Sequence, residues 1–213
     1  MAIRPVFEVA SNGKLFTRRD VQFKWFGGFA LTQTRKNIHG LHENYLATNT
    51  DRKILEISTK SEDNLGVRLS AFNLQLREGV TLESAFQGSK VFEFGGAFTD
   101  LIGKPPAQVK KDPRLKNSGR IIKFSFEGKI FPIDPPTYFY DWLYITTLAA
   151  NKNLADELLA REFDAFTDIA FNPAKSLNCQ ARSAAIFVSL SRKNLLSAAL
   201  DAENFLGMIR NER

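Results

Sequence analysis

The spacing of apolar and polar positions changes part-way along the chain, and that change predicts the order of its elements. Short alternating runs dominate the first part. Val21–Phe26 (VQFKWF) is aromatic and β-prone and is closed by Gly27-Gly28, Ile54–Thr59 (ILEIST) alternates like a half-buried strand, and Val67–Leu76 (VRLSAFNLQL) does so for longer. Between them Ile38, Leu41, Tyr45 and Leu46 recur at helical spacing, which predicts a helix over Thr32–Leu46. A second helix is expected over Thr81–Phe92, capped by Thr81 and stopped by Gly95-Gly96. Pro105, Pro106 and Pro113 then break the chain, leaving PAQVKKD as one short helix, and Ile121–Phe131 alternates on both sides of Glu127-Gly128 as a hairpin does. From Thr137 the pattern turns helical, over Tyr138–Ala150, Leu154–Arg161, Asn178–Leu190 and Leu195–Ile209, with Ala165–Phe171 as a short extended piece. Strands before helices is the α+β pattern, here a mixed or antiparallel sheet with a helical second part. No repeat or linker interrupts it, so residues 1–213 are read as a single domain.

Composition adds compartment and charge. No apolar run approaches the roughly 18 residues of a membrane span, and MAIRPVFEVASNGKLF lacks the order of a signal peptide. Cys179 is the single cysteine, which excludes an internal disulfide and fits a reducing, cytoplasmic setting. The formal charge is +6 and the pI about 9.5, favouring an anionic ligand. Lys104, Lys110, Lys111, Arg114, Lys116, Arg120 and Lys123 crowd one stretch against the single acid Asp112; such a run attracts phosphate or simply solubilises a loop. Nineteen phenylalanines argue for a core of packed rings with shaped pockets.

No phosphate loop, dinucleotide fingerprint, zinc-protease helix or nucleophile elbow is present. His39 and His42, three apart, are too few with Cys179 to build a zinc site, so neither metal nor cofactor is expected. What remains is polar groups in aromatic surroundings. Glu83, Gln87 and Lys90 fall at i, i+4 and i+7, one side of the helix expected there, with Leu82, Ala85, Phe86 and Phe92 on its packed flank. This row is either a solvated face or the wall of a cleft. Asp141 lies within YFYDWLY beside Trp142 and needs a salt-bridge partner or a cleft. Asp168 is an acid among phenylalanines, and Asn178 and Gln180 at a helix start suit a phosphate or a base edge, although simple capping is the better account of them.

LESAFQGSKVFEFGG, FTDLI, KKDPRLKNSGR, FYDWLYI, FDAFTDIAFNP and NCQA together resemble an uncharacterised bacterial family, and the chain also resembles the NADAR superfamily of N-glycosidases, which includes ADP-ribosyl glycohydrolases. The second resemblance rests on Glu83-Ser84-Ala85-Phe86-Gln87 with Lys90-Val91-Phe92, on NKNLADELL (Asn151 to Leu159), and on a later acid at Asp168. Two departures stand out: FKWFGGFAL replaces an FSNF-type motif, and no tryptophan–glycine motif follows Asp168. The resemblance implies hydrolysis of a C1′–N bond of an ADP-ribosyl or related ribosyl-phosphate group. Glu83 or Asp168 would stabilise the oxocarbenium charge or activate water. Lys90, Lys110, Arg114 and Arg120 would hold phosphates, Trp142 would stack on the base, and Gln87, Asp141, Asn178 and Gln180 would complete the site. The expected partner is an anionic nucleotide-like molecule or an ADP-ribosylated macromolecule. The alternatives are a nucleic-acid-binding protein without catalysis and a protein-interaction module.

Overall fold

The computed structural model describes residues 1–11, 13–28 and 30–211. Its central sheet is mixed and four-stranded. Strands β1 (Ala2–Val9) and β2 (Phe16–Phe23) pair antiparallel from Ala2↔Phe23 to Val9↔Phe16. After helix α1 (Leu31–Leu46) comes β3 (Ile54–Glu56), and the late strand β9 (Ala165–Thr167) inserts between β1 and β3 to give the order β2-β1-β9-β3. β9 runs antiparallel to β1 and parallel to β3, with Glu56 opposite Thr167. Side chains alternate across the sheet as strand geometry requires. Val6 and Ala165 join Ile38, Leu41 and Tyr45 of α1 on one face, while Phe7 and Phe166 enter the larger core on the other.

The chain between β3 and β9 builds the larger core. It forms α2 (Asn64–Arg68), the small hairpin β4 (Gln75–Arg77) and β5 (Val80–Thr81), α3 (Leu82–Gly88), and β6 (Lys90–Phe92). A 3-10 turn (Thr99–Leu101), α4 (Pro106–Val109) and α5 (Arg114–Asn117) lead to β7 (Ile121–Phe126) and β8 (Lys129–Phe131), which complete a three-stranded antiparallel sheet in the order β6-β7-β8. Helices α6 (Tyr138–Ala150) and α7 (Lys152–Ala160) precede β9; α8 (Gln180–Arg192), α9 (Leu196–Ala199) and α10 (Ala202–Arg210) follow it. The architecture is α+β, with most strands in the first half. No helix among the described residues is long and apolar enough to cross a membrane.

Departures from the sequence pattern have local causes. Strand β1 carries no alternation to read, because both faces of the sheet are covered and Val6 and Phe7 are buried on opposite sides. The run Val67–Leu76 is not a strand. Asp63 accepts from Leu65 N and caps α2, and the Ser70 hydroxyl and Asn73 amide both donate to the carbonyl of Val67, closing a turn in place of a ladder. The helix from Leu82 stops at Gly88, not at Phe92. A Cβ on Gly88 would lie 2.6 Å from Ile102 Cγ1, and Ser89 accepts from Ser125 N, so Lys90–Phe92 leaves the helix as the edge of a sheet. The helix expected over Leu195–Ile209 is two, because Asp201 accepts from Glu203 N and Asn204 N and starts α10 afresh.

Phenylalanines join α3 and α6 to the β6-β7-β8 sheet. Phe139 of α6 lies 4.7 Å by ring centroid from both Phe124 and Phe131, and 6.1 Å from Phe86 of α3 and Phe126. Phe139→Ala is expected to lower unfolding free energy by about 3–5 kcal/mol, read from a denaturant midpoint, with near-neutral cost sinking this account of the core.

Candidate active site

Helix α3, the turn after α2, the β9–α8 connection and one residue of α6 are among the walls of an open cleft of about 510 Å³. Glu83, Gln87, Lys90, Lys110, Asp168, Asn178 and Gln180 all line it. The row expected on one helix is made differently. Gln87 Nε2 donates to Glu83 Oε1 at 3.0 Å across one turn of α3, and Lys90 reaches Gln87 Oε1 at 2.6 Å from the first position of β6. Thr81 caps α3 through Ser84 N and so fixes Glu83 in its first turn, where the helix dipole favours a carboxylate. Glu83 is buried, and Lys110 at the rim reaches its Oε1 at 3.6 Å.

The lysines are held by rings as well as by charge. Lys90 Nζ stands 4.8 Å over Phe86 and Lys110 Nζ 4.8 Å over Phe72. Burial pushes the Lys90 ammonium down to about 8, with Glu83 opposing that shift and Lys110 adding to it. A lysine in that range exchanges its proton near neutral pH.

Asp168 forms the opposite wall. Its Oδ1 accepts from Ala170 N at 3.1 Å and its Oδ2 from Gln180 Nε2 at 3.0 Å. Burial first, and the neighbouring Glu56 carboxyl second, raise its titration to about 7. Gln180 is not free for a ligand. Besides Asp168 its Nε2 donates to Ile57 O at 2.6 Å, and its Oε1 accepts from Ala71 N at 2.7 Å. Asn178 is available: its Oδ1 is buried in the wall with no protein donor among the described residues. Helix α8 starts at Gln180 with no side-chain cap, and the Ser176 hydroxyl turns to Asn178 O.

Two acids, an amide row, three lysines and an unmet acceptor thus converge on one open cleft. A family model described as the DarT1-associated NADAR antitoxin matches residues 2–213. The chain belongs to this family. No curated protein matches it. The loop that stands where this NADAR chain lacks the FSNF-type motif is tied down by Asn37, whose side chain accepts from Phe26 N and donates to Phe26 O; Phe29 lies outside the described residues. The NKNLADELL stretch is α7, and Asn151 before it binds Gln75 O in a separate depression.

The remaining residues expected at the NADAR cleft do not line it. Arg114 is clamped by Asp100 at 2.8 Å and Asp112 at 2.9 Å, and Arg120 by Glu93 at 2.8 Å. Asp141 is fully buried against Arg182 and the Ser183 hydroxyl, so its partner comes from α8 and not from the basic segment. Burial pushes its carboxyl up although Arg182 and Ser183 pull it down. Trp142 stacks in the aromatic core, 4.9 Å from Phe131, and donates to Leu200 O. The residue of that stretch facing the cleft is Tyr140, since successive positions on α6 turn by about 100°. Its ring meets Phe86 edge-on at 5.0 Å, and burial with the charges of Glu83 and Asp168 pushes its hydroxyl well up. Phe72, Phe171, Ser58 and Lys175 also line the wall. Of these, Phe171 falls in the FDAFTDIAFNP stretch.

Asp141→Ala leaves Arg182 buried beside no carboxylate, so a loss of about 3 kcal/mol in stability is expected. Thermal unfolding checks this; an unchanged midpoint would show that the pair contributes nothing.

Proposed function

We propose that this chain hydrolyses the C1′–N bond of an ADP-ribosyl or related ribosyl-phosphate group in the cleft between Glu83 and Asp168. The observation that carries the reading is the buried Glu83 carboxylate held by Gln87 and Lys110 in a phenylalanine-lined cleft that also holds Lys90. Breaking a C1′–N bond gathers positive charge on the ribosyl ring. Glu83 is placed to stabilise that charge and to take a proton from the attacking water. The water oxygen bonds to C1′, the C1′–N electron pair leaves with the nitrogen, and that nitrogen takes up a proton. Asp168 on the opposite wall is the second carboxyl. Lys90, Lys110 and the exposed Lys175 supply positive charge for phosphates, and Phe72 or Phe171 offers a face to a base. Arg114 and Arg120, bound to acids away from the cleft lining, are left out of this role.

Membership of an antitoxin family supports a target connected with the DarT1 toxin, either the toxin itself or an ADP-ribosylated product. The buried Glu83 carboxylate in the cleft favours the second, because a flat binding partner needs no such group. Nucleic-acid binding through the basic segment alone is disfavoured by the pairing of Lys104 and Arg114 with Asp100 and of Arg120 with Glu93.

Glu83→Gln is expected to lower hydrolysis of an ADP-ribosylated substrate by at least about 100-fold while thermal unfolding stays close to wild type. Full turnover by the folded variant overturns the reading.

A further inference from the structure

Four tyrosines occur in the chain, and three give their hydroxyl to the protein. Tyr45 donates to Glu8 Oε1 at 2.9 Å, Tyr138 to Ala202 O at 2.7 Å, and Tyr144 to Leu69 O at 2.9 Å. Tyr140 is the exception. It is only 6% exposed, yet its hydroxyl has no hydrogen-bond partner among the described residues, and the space it lines is the cleft. A buried tyrosine ordinarily finds a partner, so a hydroxyl left without one at a cleft wall is open to whatever enters.

The surroundings of Tyr140 fix where that donor stands. Asp141, the next residue, is bound by Arg182 and Ser183, and Tyr144, one turn on, is tied to Leu69 O. The Tyr140 ring meets Phe86 edge-on at 5.0 Å, and Phe86 follows Glu83 by three positions, so Tyr140 packs against the turn of α3 that carries Glu83. Asp168 lines the same space from the β9–α8 connection. Burial and the charges of both carboxyls keep the phenolic proton in place, which makes Tyr140 a neutral donor.

Resting on the glycosidase reading, we propose that Tyr140 is a specificity residue: its hydroxyl donates to the 2′-oxygen of the scissile ribose and so selects ribosyl over 2′-deoxyribosyl groups. Glu83 and Asp168 on opposite walls leave C1′ between them. A phosphate there would be repelled by both, and Lys90, Lys110 and Lys175 of the lining attract it instead. Of the atoms on C1′, the leaving nitrogen must receive a proton, which so weak an acid does not surrender. A donor on the ring oxygen would oppose the positive charge that develops there. The oxygen on C2′ remains. A hydroxyl there accepts from Tyr140 and still gives its own proton to the wall, where Asn178 Oδ1 is unmet among the described residues. Hydrogen bonds to this hydroxyl strengthen as the ribosyl cation forms.

The test is calorimetric binding of ADP-ribose, and of its analogue lacking the 2-hydroxyl on the terminal ribose, to wild type and to Tyr140→Phe. Wild type should bind ADP-ribose about tenfold more tightly than the analogue, and Tyr140→Phe should bind the two alike. A variant that keeps the preference overturns the proposal, as does a wild type that shows none or binds neither. Tyr140→Phe should unfold at the wild-type midpoint, because no protein bond is lost, whereas Tyr144→Phe should unfold below it. A midpoint lowered alike in both would make the Tyr140 hydroxyl structural and overturn the proposal as well. If the binding preference behaves as stated and no ADP-ribosyl bond is hydrolysed, the glycosidase reading falls while the hydroxyl contact stands.

Discussion

Gln180 commits its whole side-chain amide to three segments far apart in sequence, and the cleft exists because it does. Ala71 after α2, Ile57 at the end of β3 and Asp168 after β9 are drawn to one point at the start of α8 by its bonds of 2.7, 2.6 and 3.0 Å. Each of these groups is partly or wholly buried, so losing the amide leaves unmet backbone groups costing about 1–3 kcal/mol apiece. The late strand β9 makes this necessary. It enters between β1 and β3 after more than a hundred residues, and only bonds made at its far end can place Asp168 against the wall that holds Glu83.

Where local chemistry decided the structure, the pattern was readable. Tyr138–Ala150 is helical as its run of large apolar residues requires, and Glu127-Gly128 turns the β7–β8 hairpin, with both residues at positive φ. Where pairing across the chain decided it, the pattern was silent. Lys90 reads as the third member of a helical row, yet pairing with Phe124 takes it into β6, and it returns to Gln87 from a strand. The same limit governs the charges. Arg120 is in a run nearly free of acids, but Glu93, 27 positions earlier, is folded beneath it. A run of positive residues describes the sequence and not the field around the protein.

The cleft residues were legible by type and not by direction. Glu83 and Asp168 were visible as acids among rings, whereas Tyr140 was hidden one and two steps from the more conspicuous Asp141 and Trp142. On a helix one step is the difference between facing a cleft and facing the core, and the packing of Phe139 against Phe124 and Phe131, with the Asp141–Arg182 pair, fixes that rotation. The phenylalanine content that first marked the chain therefore has two roles. It supplies the core that orients α6, and through Phe72 and Phe86 it supplies faces over which Lys110 and Lys90 stand.

That second role bears on the chemistry. A lysine paired directly with a carboxylate has its charge cancelled and its proton fixed; a lysine over a ring keeps both available. Lys90 meets an amide and a ring, with Glu83 one residue further away along the hydrogen-bonded row. Gln87 thus separates Lys90 from Glu83 while linking them, and Lys110 is the cation that reaches Glu83 directly. An ion pair in its place would be more stable and less reactive. The spacing of Glu83, Gln87 and Lys90 sacrifices that direct contact, as a surface built only for solubility has no reason to do.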